Sequence, residues 1–112
     1  MRRREEEEWD IQAIVRDIAS RHPTKIERRA FLGTKTDILV SKGVKKIAIE
    51  LKHTPVTLLD IRRLLHTRYN YKIIAVPPDA LLNTSDSVLA YAEHSGIIIC
   101  ALDNLPDLID RL

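Results

Sequence analysis

The sequence predicts an α/β fold, a mixed β-sheet flanked by helices, formed as one domain over residues 1–112. Three observations carry this. Ile11, Ile14, Val15 and Ile18 recur at the i, i+3, i+4, i+7 spacing of an amphipathic helix. Three strand-like runs follow, separated by short turns, which reads as an antiparallel meander. Two near-continuous apolar runs near the C-terminus, with a helical segment between them, have the pattern of buried parallel strands joined by a right-handed crossover. Apolar residues make up 45% of the chain, enough for a modest core and too many for a disordered tail. A second core would need roughly another 100 residues.

The elements follow in order. Residues 5–21 read as a helix, with Glu5 to Glu8 near its positive end and Pro23 stopping it. Residues 25–32 hold Ile26 and Phe31 before a turn at Gly33. Residues 36–41 alternate Thr36, Ile38, Val40 against Asp37, Leu39, Ser41, and Lys42-Gly43 turns the chain. Residues 45–52 alternate Ile47, Ile49, Leu51 against Ala48, Glu50, Lys52. A helix then starts with Thr54 as cap and Pro55 at its first position, with Leu58, Ile61 and Leu65 as core stripe and Arg62, His66 and Tyr69 exposed. Residues 72–76 form a strand ended by Pro77-Pro78. Ser85 caps a helix over 86–95 that Gly96 ends. Residues 97–102 form the last strand, and 105–112 a short terminal helix. The order is α-β-β-β-α-β-α-β and then the terminal turns.

Composition excludes several functions. Cys100 is the only cysteine, so an internal disulfide and a cysteine-built metal site are out. His22, His66 and His94 have no ligand spacing, which argues against zinc. No glycine-rich phosphate loop is present. No apolar run approaches the roughly 20 residues of a membrane span. Met1-Arg2-Arg3-Arg4 and four glutamates are not followed by the apolar segment of a secretory signal, so a cytoplasmic protein with no membrane partner is expected. Gln12 is the only glutamine, and charges are plentiful, a bias of heat-resistant proteins. Net charge is only +2, but residues 21–72 carry thirteen Lys or Arg against four acids, while residues 73–112 carry Arg111 against six acids. A basic middle is the electrostatic footprint of a nucleic-acid binder.

The chemistry centres on Asp37 and Glu50, with Lys52 two residues further on. Residues two apart on a strand point to one face, so Glu50 and Lys52 share theirs. Antiparallel pairing across the tight turn would set Asp37 beside Glu50. Two close carboxylates repel unless a cation lies between them, and a hard divalent ion bound through one or two carboxylates plus water fits. Such an ion lowers the pKa of its water and neutralises charge building on a phosphate. Lys52 would orient or help deprotonate that water. The bland alternative is a half-exposed strand whose polar face meets water.

These residues resemble the PD-(D/E)-x-K nuclease superfamily, with its restriction-endonuclease-like fold. The matching pieces are Thr36-Asp37-Ile38-Leu39-Val40 and Ile47-Ala48-Ile49-Glu50-Leu51-Lys52, in the α-β-β-β-α-β order of that superfamily. Residues 5–55 look like archaeal Holliday-junction resolvases, and residues 71–102 look more like the end of Mrr-type restriction endonucleases. Thr36 stands where the superfamily has its proline, and the second helix has no glutamine. The resemblance implies a Mg²⁺-dependent endodeoxyribonuclease, with Mn²⁺ as substitute metal, structure-specific and of junction or repair type. It implies metal ligation by Asp37, Glu50 and the Leu51 carbonyl, and a further metal-side carboxylate at Glu8.

Arg62, Arg63, His66, Arg68 and Lys35 are the expected contacts to DNA phosphates, with Arg28, Arg29, Lys45 and Lys46 extending the footprint. An ordinary solvated helix face explains the first group nearly as well. Aromatic residues are few, which favours backbone contact to duplex over base stacking. A homodimer is expected, since two copies related by a two-fold axis match the symmetry of a duplex. Its apolar donors would be Leu81, Leu82, Leu105, Leu108 and Leu112. The rival readings are a non-catalytic nucleic-acid-binding or assembly module of the same fold, and a small α/β ligand-binding or regulatory domain using the Pro77-Pro78 strand end.

Overall fold

The computed structural model describes the backbone of residues 4–28 and 36–112, and the side chains of residues 12–24 and 38–112. Helix α1 (Arg4–Arg21) leads into strands β1 (Thr24–Arg28), β2 (Thr36–Lys42) and β3 (Lys45–Leu51). Helix α2 (Leu58–Leu65) connects to β4 (Tyr71–Val76). Helices α3 (Pro78–Leu82) and α4 (Asp86–His94) precede β5 (Ile97–Ala101), and a 3₁₀ turn, Leu102–Asn104, opens into α5 (Leu105–Arg111). The sheet order is β1-β2-β3-β4-β5. The first three strands pair antiparallel and the last three parallel, so the fold is α/β with a mixed sheet flanked by helices, as expected.

The alternation of β4 divides its side chains between two cores, Ile73 and Ala75 in one and Ile74 and Val76 in the other. Ile47, Ile49 and Leu51 join Ile38 and Val40 of β2 against Val15 and Ile18 of α1 and Leu105 and Ile109 of α5. On the opposite face, Ile74, Val76 and Ile97 pack against Ile61 and Leu64 of α2, Ala80 of α3, and Val88 and Ala92 of α4. β3 is the middle strand, and Ile47 to Leu51 are all buried. That excludes the half-exposed strand.

The β2–β3 register follows from its turn. Gly43 sits at φ +62, a left-handed value that a two-residue hairpin turn needs at its first central position and that glycine takes without a steric penalty. Lys42 therefore pairs with Lys45, and five residues further along each strand Asp37 pairs with Glu50. Gly96, at φ +75, likewise ends α4.

The start of α2 corrects the sequence reading. Thr57, not Thr54, is the cap, and Pro55 lies before the helix. Thr57 and Asp60 form a capping box, each side chain meeting the other's backbone N–H. The preceding stretch is pinned by buried Val56, whose N–H donates to Thr84 Oγ1 at 3.1 Å. The buried stripe of α2 is Asp60, Ile61 and Leu64, while Leu58 is half exposed. An apolar-only reading missed this stripe because one of its members is charged. Pro77 and Pro78 do not merely stop β4: they are the cap and first residue of α3, since proline's fixed φ and missing N–H suit a helix start.

Candidate active site

Glu50 is 6% exposed in the centre of the sheet. Its Cα partners are Asp37 on β2 and Ile74 on β4. Directly opposed residues share a face, and Ile74 lies in the core beneath α2. Glu50 therefore belongs to the α2 face, and the register puts position 37 there with it. The helical layer on this face packs on β4 and β5, while Leu39 and Ser41 of β2 are only half-buried. Glu50 thus stands where the helical cover steps down towards β2.

Lys52 extends the sheet one residue past β3, its N–H donating to the Ala75 carbonyl at 3.0 Å. Its ammonium reaches the Asp60 carboxylate in an ion pair with side-chain exposures of 15% and 4%. The same oxygen, Oδ2, accepts from the Thr57 N–H at 2.8 Å and the Thr57 hydroxyl at 2.9 Å. Burial works to raise the Asp60 pKa. The hydrogen bonds from Lys52 and Thr57, with the lysine's charge, outweigh it and leave the carboxyl below its ordinary value.

No protein-family model matches the chain, and searches of curated proteins and of solved structures return no match.

The local geometry therefore carries the functional argument. Leu51 turns its side chain into the α1 core, 3% exposed, leaving its carbonyl as the group that could meet a cation. α1 packs through Val15 and Ile18 on the face opposite Glu50. The side chains of Glu8 and Asp37 lie outside the described residues, as do Lys35 and Arg29 entirely and the side chain of Arg28. Among the described side chains, no group of three or more His, Cys, Asp or Glu gathers around a common point. The groups that could hold a hard divalent ion there are the Glu50 carboxylate, the residue at register position 37 and, as the resemblance implies, the Leu51 carbonyl.

Arg62, Arg63, His66 and Arg68 are all exposed. α2 runs back from the Lys52 end of β3, and Asn70, just beyond it, pairs with the Lys46 backbone at the other end (3.0 and 2.7 Å). The basic residues therefore form a trail leading away from Glu50 towards Lys46. Lys45 is also exposed; its ammonium donates to the Leu112 carbonyl at 3.1 Å and lies over the Tyr71 ring. His53 is half-buried beyond the end of β3, and Cys100, half-buried in β5, has its thiol pushed up to about 11 by burial. Asp60 is the residue that sequence reasoning missed. Its signal was present in Thr57-x-x-Asp60, a capping-box spacing.

No helix among the described residues is long and apolar enough to cross a membrane. The apolar surplus expected for a dimer is mostly absorbed. Leu105 is fully buried, and Leu81, Leu108 and Leu112 pack against the cores, so only Leu82 stays exposed.

Proposed function

We propose that the chain is a metal-dependent DNA endonuclease with a restriction-endonuclease-like topology, hydrolysing phosphodiester bonds. The observation that supports this best is the register of Asp37 opposite a buried Glu50, with Lys52 following on the same face. Asp37 and Glu50, with the Leu51 carbonyl, would hold Mg²⁺ or Mn²⁺. The ion would supply a water of lowered pKa and neutralise charge at the scissile phosphate. Lys52 would orient that water. Glu8 is a further metal-side candidate by resemblance. The exposed trail of Arg62, Arg63, His66 and Arg68 would follow the phosphate backbone, its contribution weakening with salt because released counterions gain less entropy in a more concentrated solution.

Asp37→Asn, Glu50→Gln and Lys52→Ala should each abolish Mn²⁺-supported cleavage while circular dichroism shows the fold retained. Cleavage by Asp37→Asn at the parent rate moves the site elsewhere. The Lys52–Asp60 pair favours a second reading, because a lysine neutralised by a buried carboxylate also suits a structural ion pair. On that reading the chain is a non-catalytic nucleic-acid-binding or assembly module. It would bind duplex without cutting it. The homodimer is proposed on the symmetry of a duplex, Leu82 being the one of its five expected apolar donors left exposed; light scattering at micromolar concentration should give about twice the chain mass.

A further inference from the structure

We propose that Asp60 is a positioning residue: its buried carboxylate holds the Lys52 ammonium on the face of the sheet that carries Glu50. The inference rests on the nuclease reading and extends it to a residue on α2.

Capping alone does not account for Asp60. An acidic residue at the third position of a helix can complete a capping box while its side chain lies in water, yet Asp60 is 3% exposed. One oxygen gathers three donors, from the Thr57 backbone, the Thr57 hydroxyl and the Lys52 ammonium. The cap thus orients the carboxylate, and the oriented carboxylate receives the lysine. A lysine stem is flexible, and in water its ammonium samples many positions. Lys52 is instead held at both ends, its N–H on the Ala75 carbonyl of β4 and its ammonium on α2. That restraint suits a group that must stand at one place beside a reacting water, where a small misplacement lowers the rate. It does not suit a cation that adapts to phosphates along a duplex. The stretch between β3 and α2 is itself anchored by Val56 on Thr84, so the loop does not slacken the placement.

The test compares Asp60→Asn and Asp60→Glu with the full-length parent. Asparagine keeps an oxygen that can accept from Thr57 but loses the charge; glutamate keeps both charge and cap. With Mn²⁺ and duplex or junction DNA, Asp60→Asn should lower kcat on the order of 10- to 100-fold, the range seen when a group orienting a reactive one is removed. KM for DNA and the affinity for Mn²⁺ should stay at parental values, and Asp60→Glu should recover part of the rate. Parental kcat in Asp60→Asn overturns the positioning role. So does a loss of Mn²⁺ affinity in Asp60→Asn, which would make Asp60 a ligand. A parent that cuts no DNA overturns the nuclease reading and the role in catalysis with it. The restraint itself is read without cleavage, by ¹⁵N NMR of the Lys52 ammonium. A restrained ammonium in the parent supports the placement, and a freely rotating one overturns it whatever the variants do.

Discussion

β3 has lysines at both ends, and they meet different partners. At its start, Lys45 donates to the Leu112 carbonyl, and its hairpin neighbour Lys42 donates to the carbonyls of Ile109 and Asp110. These are the last carbonyls of α5, where helix groups lack intrahelical partners and cations are favoured. The Asp110 carboxylate in turn receives Arg21 and His22 from the end of α1. Just past the other end of β3, Lys52 meets Asp60. The Asp60 side chain is 4% exposed and that of Asp110 38%. Both carboxyls are held below their ordinary value: hydrogen bonds from Lys52 and Thr57 overcome burial at Asp60, and the hydrogen bond from His22, then the hydrogen bond and charge of Arg21, do so at Asp110. The direction of a pKa shift therefore does not distinguish a stitch between helices from a committed pair. Burial does, because water and salt screen one and not the other.

The largest expected effect follows from breaking the buried member. Asp60→Ala leaves the Lys52 ammonium under α2 without its carboxylate and removes the cap at Thr57. Breaking a buried pair costs about 3–5 kcal/mol. The lower figure, about 3 kcal/mol, fits a lysine that retains some access to water. Urea unfolding at neutral pH measures it. The same pair sets a pH dependence. A carboxyl whose folded pKa lies below the ordinary 3.8 contributes stability fully present above that value and lost as pH falls through the folded one. Stability of the parent should therefore drop more steeply below that value than stability of Asp60→Asn, which has no proton to take up there. Parallel curves would mean that Asp60 titrates alike in the folded and unfolded chain.

The two ends also differ in how readily they were seen in advance. The hairpin end is local: Lys42-Gly43 between alternating runs marks a turn, and the turn settles the Asp37–Glu50 register. The parallel strands were legible from Ile73-Ile74-Ala75-Val76 and Ile97-Ile98-Ile99, apolar on both faces as doubly covered strands are. The Asp60 end was not, because its meaning depends on a partner eight residues back across a connection whose path the sequence leaves open. Thr54-Pro55 and Thr57-x-x-Asp60 both read as helix starts. The second is the one the structure uses: its two reciprocal bonds form, and Asp60 also reaches Lys52. The Lys45 contact was not legible for the same reason: its partner is a carbonyl at the far end of the chain, and carbonyls leave no trace in a sequence.

A middle-sized effect tests the hairpin end through its backbone. Gly43 has no atom within 4 Å of where a Cβ would stand, so Gly43→Ala meets no clash and bears only the cost of the left-handed backbone, about 1–2 kcal/mol. The loss should appear as a lowered urea midpoint with an unchanged slope. If the turn alone sets the register, weakening it should also lower Mn²⁺ affinity at the distant Asp37–Glu50 pair. An unaltered affinity would mean that the apolar faces of β2 and β3 fix the register without the turn.

The smallest effect belongs to the exposed stitch. Asp110→Asn removes the charge that receives Arg21 and His22 but leaves Lys42 and Lys45 on the α5 carbonyls, which are backbone groups. It also leaves the apolar seam of Val15, Ile18, Leu105 and Ile109, all buried, which holds α1 and α5 to the sheet. Exposed ion pairs contribute little, because each charge keeps most of its hydration and ordering long side chains offsets part of the attraction. The fall in melting temperature for Asp110→Asn should accordingly be far smaller than for Asp60→Ala. It should shrink further at high salt, since the screening length falls to a few ångströms, whereas the loss from Asp60→Ala should persist. A salt-resistant loss at Asp110 as large as that at Asp60 would show that the α1–α5 seam depends on its charges, and that exposure is the wrong measure for ranking the two ends of β3.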